Sequence, residues 1–327
     1  MKYPIGIQSF DKMREDGFVY VDKTALIYKL VSVSTTYFLS RPRRFGKSLL
    51  VSTLDAYFKG RKELFEGLAI ADLEKDWYQY PVFKVDFNGV NFTENGKLEA
   101  AIEYYLESWE KQYGETSHQA PLGKRFEQLL GQAYQLTGRR AVVLVDEYDK
   151  PILDTLDTPL EDTNREVLKA FYSTFKGADE YLKFVLLTGV TKFSQVSVFS
   201  GFNQPIDISM NNRYEALCGI TQEELEYYFA EPIANLANKF NYTIEETKGF
   251  LTMVAANYLK PKDTEISNWI VDAVILLEEG ETAAFCTALT SFLADIPYDS
   301  HGSIKTVEAT EKHFQYTFYL ILRLLGV

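Results

Sequence analysis

The stretch Tyr37-Phe38-Leu39-Ser40-Arg41-Pro42-Arg43-Arg44-Phe45-Gly46-Lys47-Ser48-Leu49-Leu50 passes from an apolar, β-prone entry through a short loop into residues at helical spacing. Leu49, Leu50, Val51 and Leu54 continue that spacing, so the segment predicts strand, loop and helix in succession. Such a loop can cradle phosphate. Gly46 lets backbone N–H groups close on the anion, the Lys47 ammonium reaches the β- and γ-phosphates, and the Ser48 hydroxyl can bind Mg²⁺ at a helix N-terminus. The usual G-x-x-x-x-G-K-[ST] pattern has Arg41 here in place of its first glycine, with Pro42 next to it. Taken alone, the segment has a blander alternative, a glycine ahead of a surface helix whose lysine is solvated.

A second stretch weighs against that bland alternative. Ala141-Val142-Val143-Leu144-Val145-Asp146-Glu147 is a continuous apolar run, as a buried parallel strand requires, and it ends in two adjacent carboxylates. At the C-terminal end of such a strand an Asp can hold a Mg²⁺ shell, and the next Glu can orient or deprotonate an attacking water. Asp146 lies 99 residues after Lys47, room for a further strand and its crossover helices. The pair of motifs predicts a nucleotide site holding ATP and Mg²⁺.

Four segments, Tyr20-Val21-Asp22-Lys23-Thr24, Arg41 to Leu49, Val145-Asp146-Glu147-Tyr148-Asp149-Lys150-Pro151 and Thr188 to Ser194, together resemble the AAA-ATPase-like family. The resemblance covers approximately the first two-thirds of the chain. It implies an α/β P-loop NTPase fold with a mainly parallel sheet, of the class with an additional strand between the phosphate-loop strand and the acidic strand, and a catalytic Glu. It also makes Arg41 a habit of the family. The implied roles are phosphate and nucleotide binding by Arg43, Arg44, Phe45, Gly46, Lys47, Ser48 and Leu49, metal binding by Ser48 and Asp146, and water activation by Glu147. By position, the polar exit at Thr188 or Thr191 reads the γ-phosphate, with Lys192 a weaker candidate and a self-capping loop threonine the alternative. Arg43 and Arg44 either add charge to the transition state or pair with nearby carboxylates.

Composition bounds the partners. The 327 residues are 46% hydrophobic and 15% aromatic, enough for a sizeable packed core. A net charge of −12 speaks against nucleic-acid binding by this chain alone, since phosphate neutralisation needs a basic face. No apolar run is long enough to span a bilayer, and Met1 to Gly6 lacks the core of a signal peptide. Cys218 and Cys286 lie far apart and suit a reduced, cytoplasmic protein. His118, His301 and His313 show no metal-ligand spacing.

Asp22 or Thr24 can cap a helix running to Leu30, and Tyr20 either packs beside the sheet or walls an adenine. A phosphate-facing helix is expected over 48–59, stopped at Gly60. Further strands are expected at 81–88, 141–146, 184–189 and 206–209, and helices at 98–113, 126–136 and 162–176. In the helix at 98–113, Ala101, Tyr105 and Trp109 share one face. Thr221 and Glu224 form a capping box opening a helix toward Phe240, and Thr243 with Glu246 opens another.

The domain expectation is a P-loop ATPase-like unit over 1–215 and a helical region over 216–327. Family members often carry a C-terminal PD-(D/E)XK nuclease-like domain, and the segment 283–327 resembles only its opening. Glu311 is its lone acidic candidate, so no nuclease chemistry is expected. The functional expectation is ATP-Mg²⁺ binding with slow hydrolysis. The alternative is a nucleotide-gated switch with little turnover, accessory to a nuclease-like domain elsewhere. The partner is a homo-oligomer or another protein; no arginine finger is obvious, and Arg165 is one candidate for it.

Overall fold

The structure is a computed structural model that describes residues 2–190, except 5, and 205–240; side chains are described up to residue 235. The chain divides into two compact units, Met1–Glu224 and Leu225–Val327. The first unit is built on a five-stranded parallel sheet.

The strands are β1 (Thr36–Ser40), β2 (Val82–Asp86), β3 (Ala141–Asp146), β4 (Leu182–Gly189) and β5 (Ile206–Asp207), in the order β2-β3-β4-β1-β5. Thus β4 lies between the phosphate-loop strand and the acidic strand, the arrangement of the additional-strand class. All pairings are parallel: Leu39 of β1 faces Thr188, and Val145 of β3 faces Leu187.

Alternation along each strand feeds two cores. Phe38, Val143, Val145, Val185 and Leu187 enter one, with α5 (Lys97–Tyr113), α6 (Leu122–Thr137) and α8 (Leu160–Tyr172). Tyr37, Leu39, Val142, Leu144 and Leu186 enter the other, with α1 (Phe10–Glu15), α2 (Thr24–Val33), α3 (Lys47–Phe58) and α4 (Ala69–Leu73). Burial on both faces is why β3 reads as an unbroken apolar run, with every residue buried.

Several boundaries differ from expectation for local physical reasons. α6 begins a turn earlier, because Pro121 supplies the extended entry and Gly123 lets the helix approach its neighbour. A Cβ on Gly123 would stand 2.6 Å from Thr174 Oγ1. The helix expected over 162–176 starts at Leu160 and breaks at Ser173, whose hydroxyl donates to Ala170 O at 2.8 Å. The short α9 (Thr174–Gly177) follows, and α7 (Lys150–Leu153) lies earlier, after the acidic loop. In α5 the deeply buried stripe is Leu98, Ile102, Leu106 and Trp109, with Ala101 and Tyr105 at its margin. β5 stops at Asp207, whose carboxylate accepts from Ser209 N at 2.8 Å and turns the chain.

The capping box forms as expected. Glu224 N donates to Thr221 Oγ1 at 3.3 Å, and Thr221 N donates to Glu224 at 2.8 Å. It opens α10 (Gln222–Phe240), which kinks at Phe229. Asp22 accepts from Thr24 N at 2.8 Å at the start of α2. Tyr20 is buried and packs edge-on against Phe10 at 5.0 Å, the structural alternative for that residue. Thr243, Glu246, Cys286, His301, His313 and Glu311 lie outside the described residues.

Candidate functional site

The loop between β1 and α3 is built by a backbone that side chains rarely tolerate. Gly46 has φ +89°, the left-handed region open to glycine, and hands the chain into α3 with its carbonyl accepting from Leu50 N at 2.9 Å. Arg44 also has positive φ, 66°. The loop is clamped from outside: Ser40 N donates to Ser209 Oγ at 2.8 Å, the Arg41 guanidinium donates to Ser209 O, and Gly219 N donates to Phe45 O at 2.9 Å. A side chain at position 41 thus does structural work at the base of the loop.

Lys47, on the first turn of α3, is 3% exposed. Its ammonium donates to Arg41 O at 3.1 Å and Pro42 O at 3.3 Å, and lies 3.3 Å from Glu147 Oε1. Ser48 and Leu49 are half-buried beside it, Phe45 is half-buried, and Arg43 and Arg44 are exposed.

At the end of β3, Asp146 is 3% exposed and its Oδ1 accepts from Thr188 Oγ1 at 2.5 Å and from Glu147 N at 3.2 Å. Glu147 takes positive φ, 53°, which swings its side chain off the strand line. Burial pushes the Glu147 carboxyl above the ordinary range, and the Asp146 and Asp149 charges push the same way, against the opposing Lys47 ammonium. Strand order therefore brings Lys47 and the two carboxylates, far apart in sequence, to one end of the sheet.

The family described as Predicted AAA-ATPase matches residues 4–199. The chain belongs to the AAA-ATPase-like family. A curated relative from Azotobacter chroococcum mcd 1, described as an uncharacterized protein in the vnfD 5′ region, is 45% identical over 238 residues, covering 72% of this chain. The chain spans about half the length of that relative, 46%. No solved structure matches.

In this AAA-ATPase-like chain the sequence-predicted residues divide by position. Gly46, Lys47, Ser48, Asp146 and Glu147 lie at the β1 and β3 exits. Thr188 is fully buried with its hydroxyl on Asp146, so it supports the carboxylate from the neighbouring strand. Thr191 and Lys192 lie outside the described residues. Arg165 pairs with Glu161 at 2.5 Å, one turn away on α8.

Sequence reasoning missed Asp149 and Gly189. Asp149 is 1% exposed and accepts from Val190 N at 3.0 Å, and a Cβ on Gly189 would stand 2.5 Å from the Tyr148 ring. The motif Val145 to Pro151 contained Asp149, but nothing in the linear order tied it to β4. A polar cleft of 470 Å³ opens beside this loop, lined by Asn88, Asn91, Thr93, Lys150 and Asp154 among others; neither Lys47 nor Asp146 lines it. Among the described residues no three His, Cys, Asp or Glu side chains group to hold a metal, and no helix is long and apolar enough to cross a membrane.

Proposed function

We propose that the chain binds ATP with Mg²⁺ at the β1 and β3 exits and hydrolyses it slowly. The observation that carries this reading is the meeting of Lys47 and Glu147 at 3.3 Å beside the buried Asp146. That meeting supplies a cation for phosphate, a carboxylate for metal and a carboxylate for water at one sheet end.

The donor set suits Mg²⁺: Asp146 and Ser48 offer hard oxygen ligands, few enough that phosphate and water complete the shell. Bound Mg²⁺ would neutralise developing charge between the β- and γ-phosphates. Gly46 opens the loop so that backbone N–H groups face the phosphates, and Arg43, Arg44, Phe45 and Leu49 frame them. Thr188 fixes the Asp146 carboxylate from the adjacent strand. A γ-phosphate arriving at Lys47 competes with Glu147 for the same ammonium. Glu147 is thereby released toward the water, and its burial raises its proton affinity as a general base needs. Thr191, after β4, is the residue proposed to read the γ-phosphate.

One observation favours a switch with little turnover. Arg165 pairs with Glu161 one turn away on α8, which favours an arginine finger supplied by a second subunit or a partner protein. The 1–215 ATPase-like unit and the 216–327 helical region would then couple nucleotide state to a partner. A steady-state phosphate-release assay on purified protein with Mg²⁺-ATP separates the two readings. Continuous release supports hydrolysis, whereas saturable binding with no release selects the switch.

A further inference from the structure

The acidic loop carries a carboxylate that neither motif uses. Asp149 stands at the N-terminal edge of α7, where an Asp ordinarily turns its carboxylate onto the N–H groups of its own helix. Here it makes no such cap. Its Oδ2 instead accepts from Val190 N, across the sheet, at 3.0 Å. The carbonyl of the same Val190 accepts from Ser40 Oγ at 2.9 Å, and Ser40 is the last residue of β1 before the phosphate loop. Two backbone bonds run parallel to this bridge: Tyr148 N to Thr188 O at 2.9 Å, and Arg41 N to Gly189 O at 3.1 Å.

From this geometry we propose that Asp149 is a positioning residue: through Val190 and Ser40 it fixes the spacing between the acidic loop and the phosphate loop. The inference rests on the nucleotide reading above. Pro151 removes one cap donor of α7 and Ile152 N already donates to the Asp149 carbonyl at 3.0 Å, so the carboxylate is directed to Val190 and not to its own helix. The close approach of Gly189, whose added Cβ would lie 2.6 Å from Asp149 Oδ1, leaves the carboxylate little freedom to swing away. Asp149 reaches the phosphate loop through Val190 and Ser40. It acts by keeping Asp146 and Glu147 in register with Lys47.

Two readouts test this on the full chain with Asp149→Ala, Asp149→Asn and Ser40→Ala. Hydrogen exchange at the Val190 amide, measured with no nucleotide present, should rise roughly 10–100-fold in Asp149→Ala, the loss expected for a hydrogen bond to a charged group. It should stay near the wild-type rate in Asp149→Asn, whose amide oxygen can still accept. ATP affinity should be measured with Mg²⁺ and with EDTA. The gain from Mg²⁺ should fall roughly 10–100-fold in Asp149→Ala, as for lost outer-shell partners, and fall less in Asp149→Asn. The affinity in EDTA should stay within about twofold. Ser40→Ala should reduce the Mg²⁺ gain in the same direction, and it serves if Asp149→Ala does not fold. Unchanged Val190 exchange in Asp149→Ala overturns the bridge. Faster exchange with an unchanged Mg²⁺ gain overturns the positioning role. If the wild type binds no ATP in either condition, the nucleotide reading falls and the positioning role falls with it, while the exchange data still report on the bridge.

Discussion

The Lys47 ammonium stands 3.3 Å from the Glu147 carboxylate, which joins the first turn of α3 to the exit of β3 across the intervening strand. The contact places an ammonium and a carboxylate, both largely buried, against each other at the end of a parallel sheet where ligands commonly bind. Its consequences can be measured.

The two adjacent carboxylates should behave differently. Asp146 is buried and bonded to Thr188, whereas Glu147 is turned toward Lys47. Glu147→Gln should therefore keep ATP-Mg²⁺ affinity within about threefold while lowering hydrolysis by roughly 100-fold or more, and Asp146→Asn should weaken the Mg²⁺ dependence of binding. Titrations in Mg²⁺ and in EDTA, paired with phosphate release, check this; two variants with identical profiles would contradict the assignment.

Much of the fold was legible because its signals are local or periodic. β3 reads as buried on both faces from its composition, and the Gly46-Lys47-Ser48 turn predicts its own helix start. The Thr221 to Glu224 box formed as written. What could not be read depends on cross-strand neighbours. The face of α5 that sinks deepest is set by its contact with α6. The partners of Thr188, Asp149 and Arg41 lie 42, 41 and 168 residues away. No linear pattern marks such pairs.

Glu147 gives a pH signature. Its folded carboxyl is raised above the ordinary value of 4.5, so the folded state holds that proton more tightly than the unfolded state. Its contribution to stability is present below pH 4.5 and is lost as pH rises through the raised value. In EDTA, the stability of Glu147→Gln relative to wild type should therefore grow as pH rises from about 4.5, then level off. Urea unfolding at a series of pH values checks it; parallel curves, or a gap that shrinks with rising pH, would contradict the shift.

Gly189→Ala should disturb the acidic loop directly. The added methyl would stand 2.5 Å from the Tyr148 ring and 2.6 Å from Asp149 Oδ1, contacts that neither neighbour can relieve without moving. A loss of about 1–3 kcal/mol is expected from such overpacking, together with weaker Mg²⁺-ATP binding. Thermal unfolding and ATP titration report both, and a variant with unchanged melting temperature would show that the loop yields freely.

Stability and site should separate at Arg125. Its guanidinium is 1% exposed and pairs with Glu103 at 2.5 Å and Glu110 at 2.8 Å, between α5 and α6. Arg125→Leu leaves Glu110 buried without its cation and should cost about 3–5 kcal/mol. The folded fraction should bind ATP as the wild type does. Denaturant titration with and without ATP distinguishes this from a site residue.

The most direct test is a titration of a fluorescent ATP analogue into wild type and Lys47→Ala, with circular dichroism spectra of both. The account predicts saturable binding by the wild type, weaker by about 1.5–3 kcal/mol in the variant, the range for a hydrogen bond to a charged group, with matching spectra. Equal affinity in two proteins with matching spectra would mean that the Gly46-Lys47-Ser48 loop is not a phosphate site.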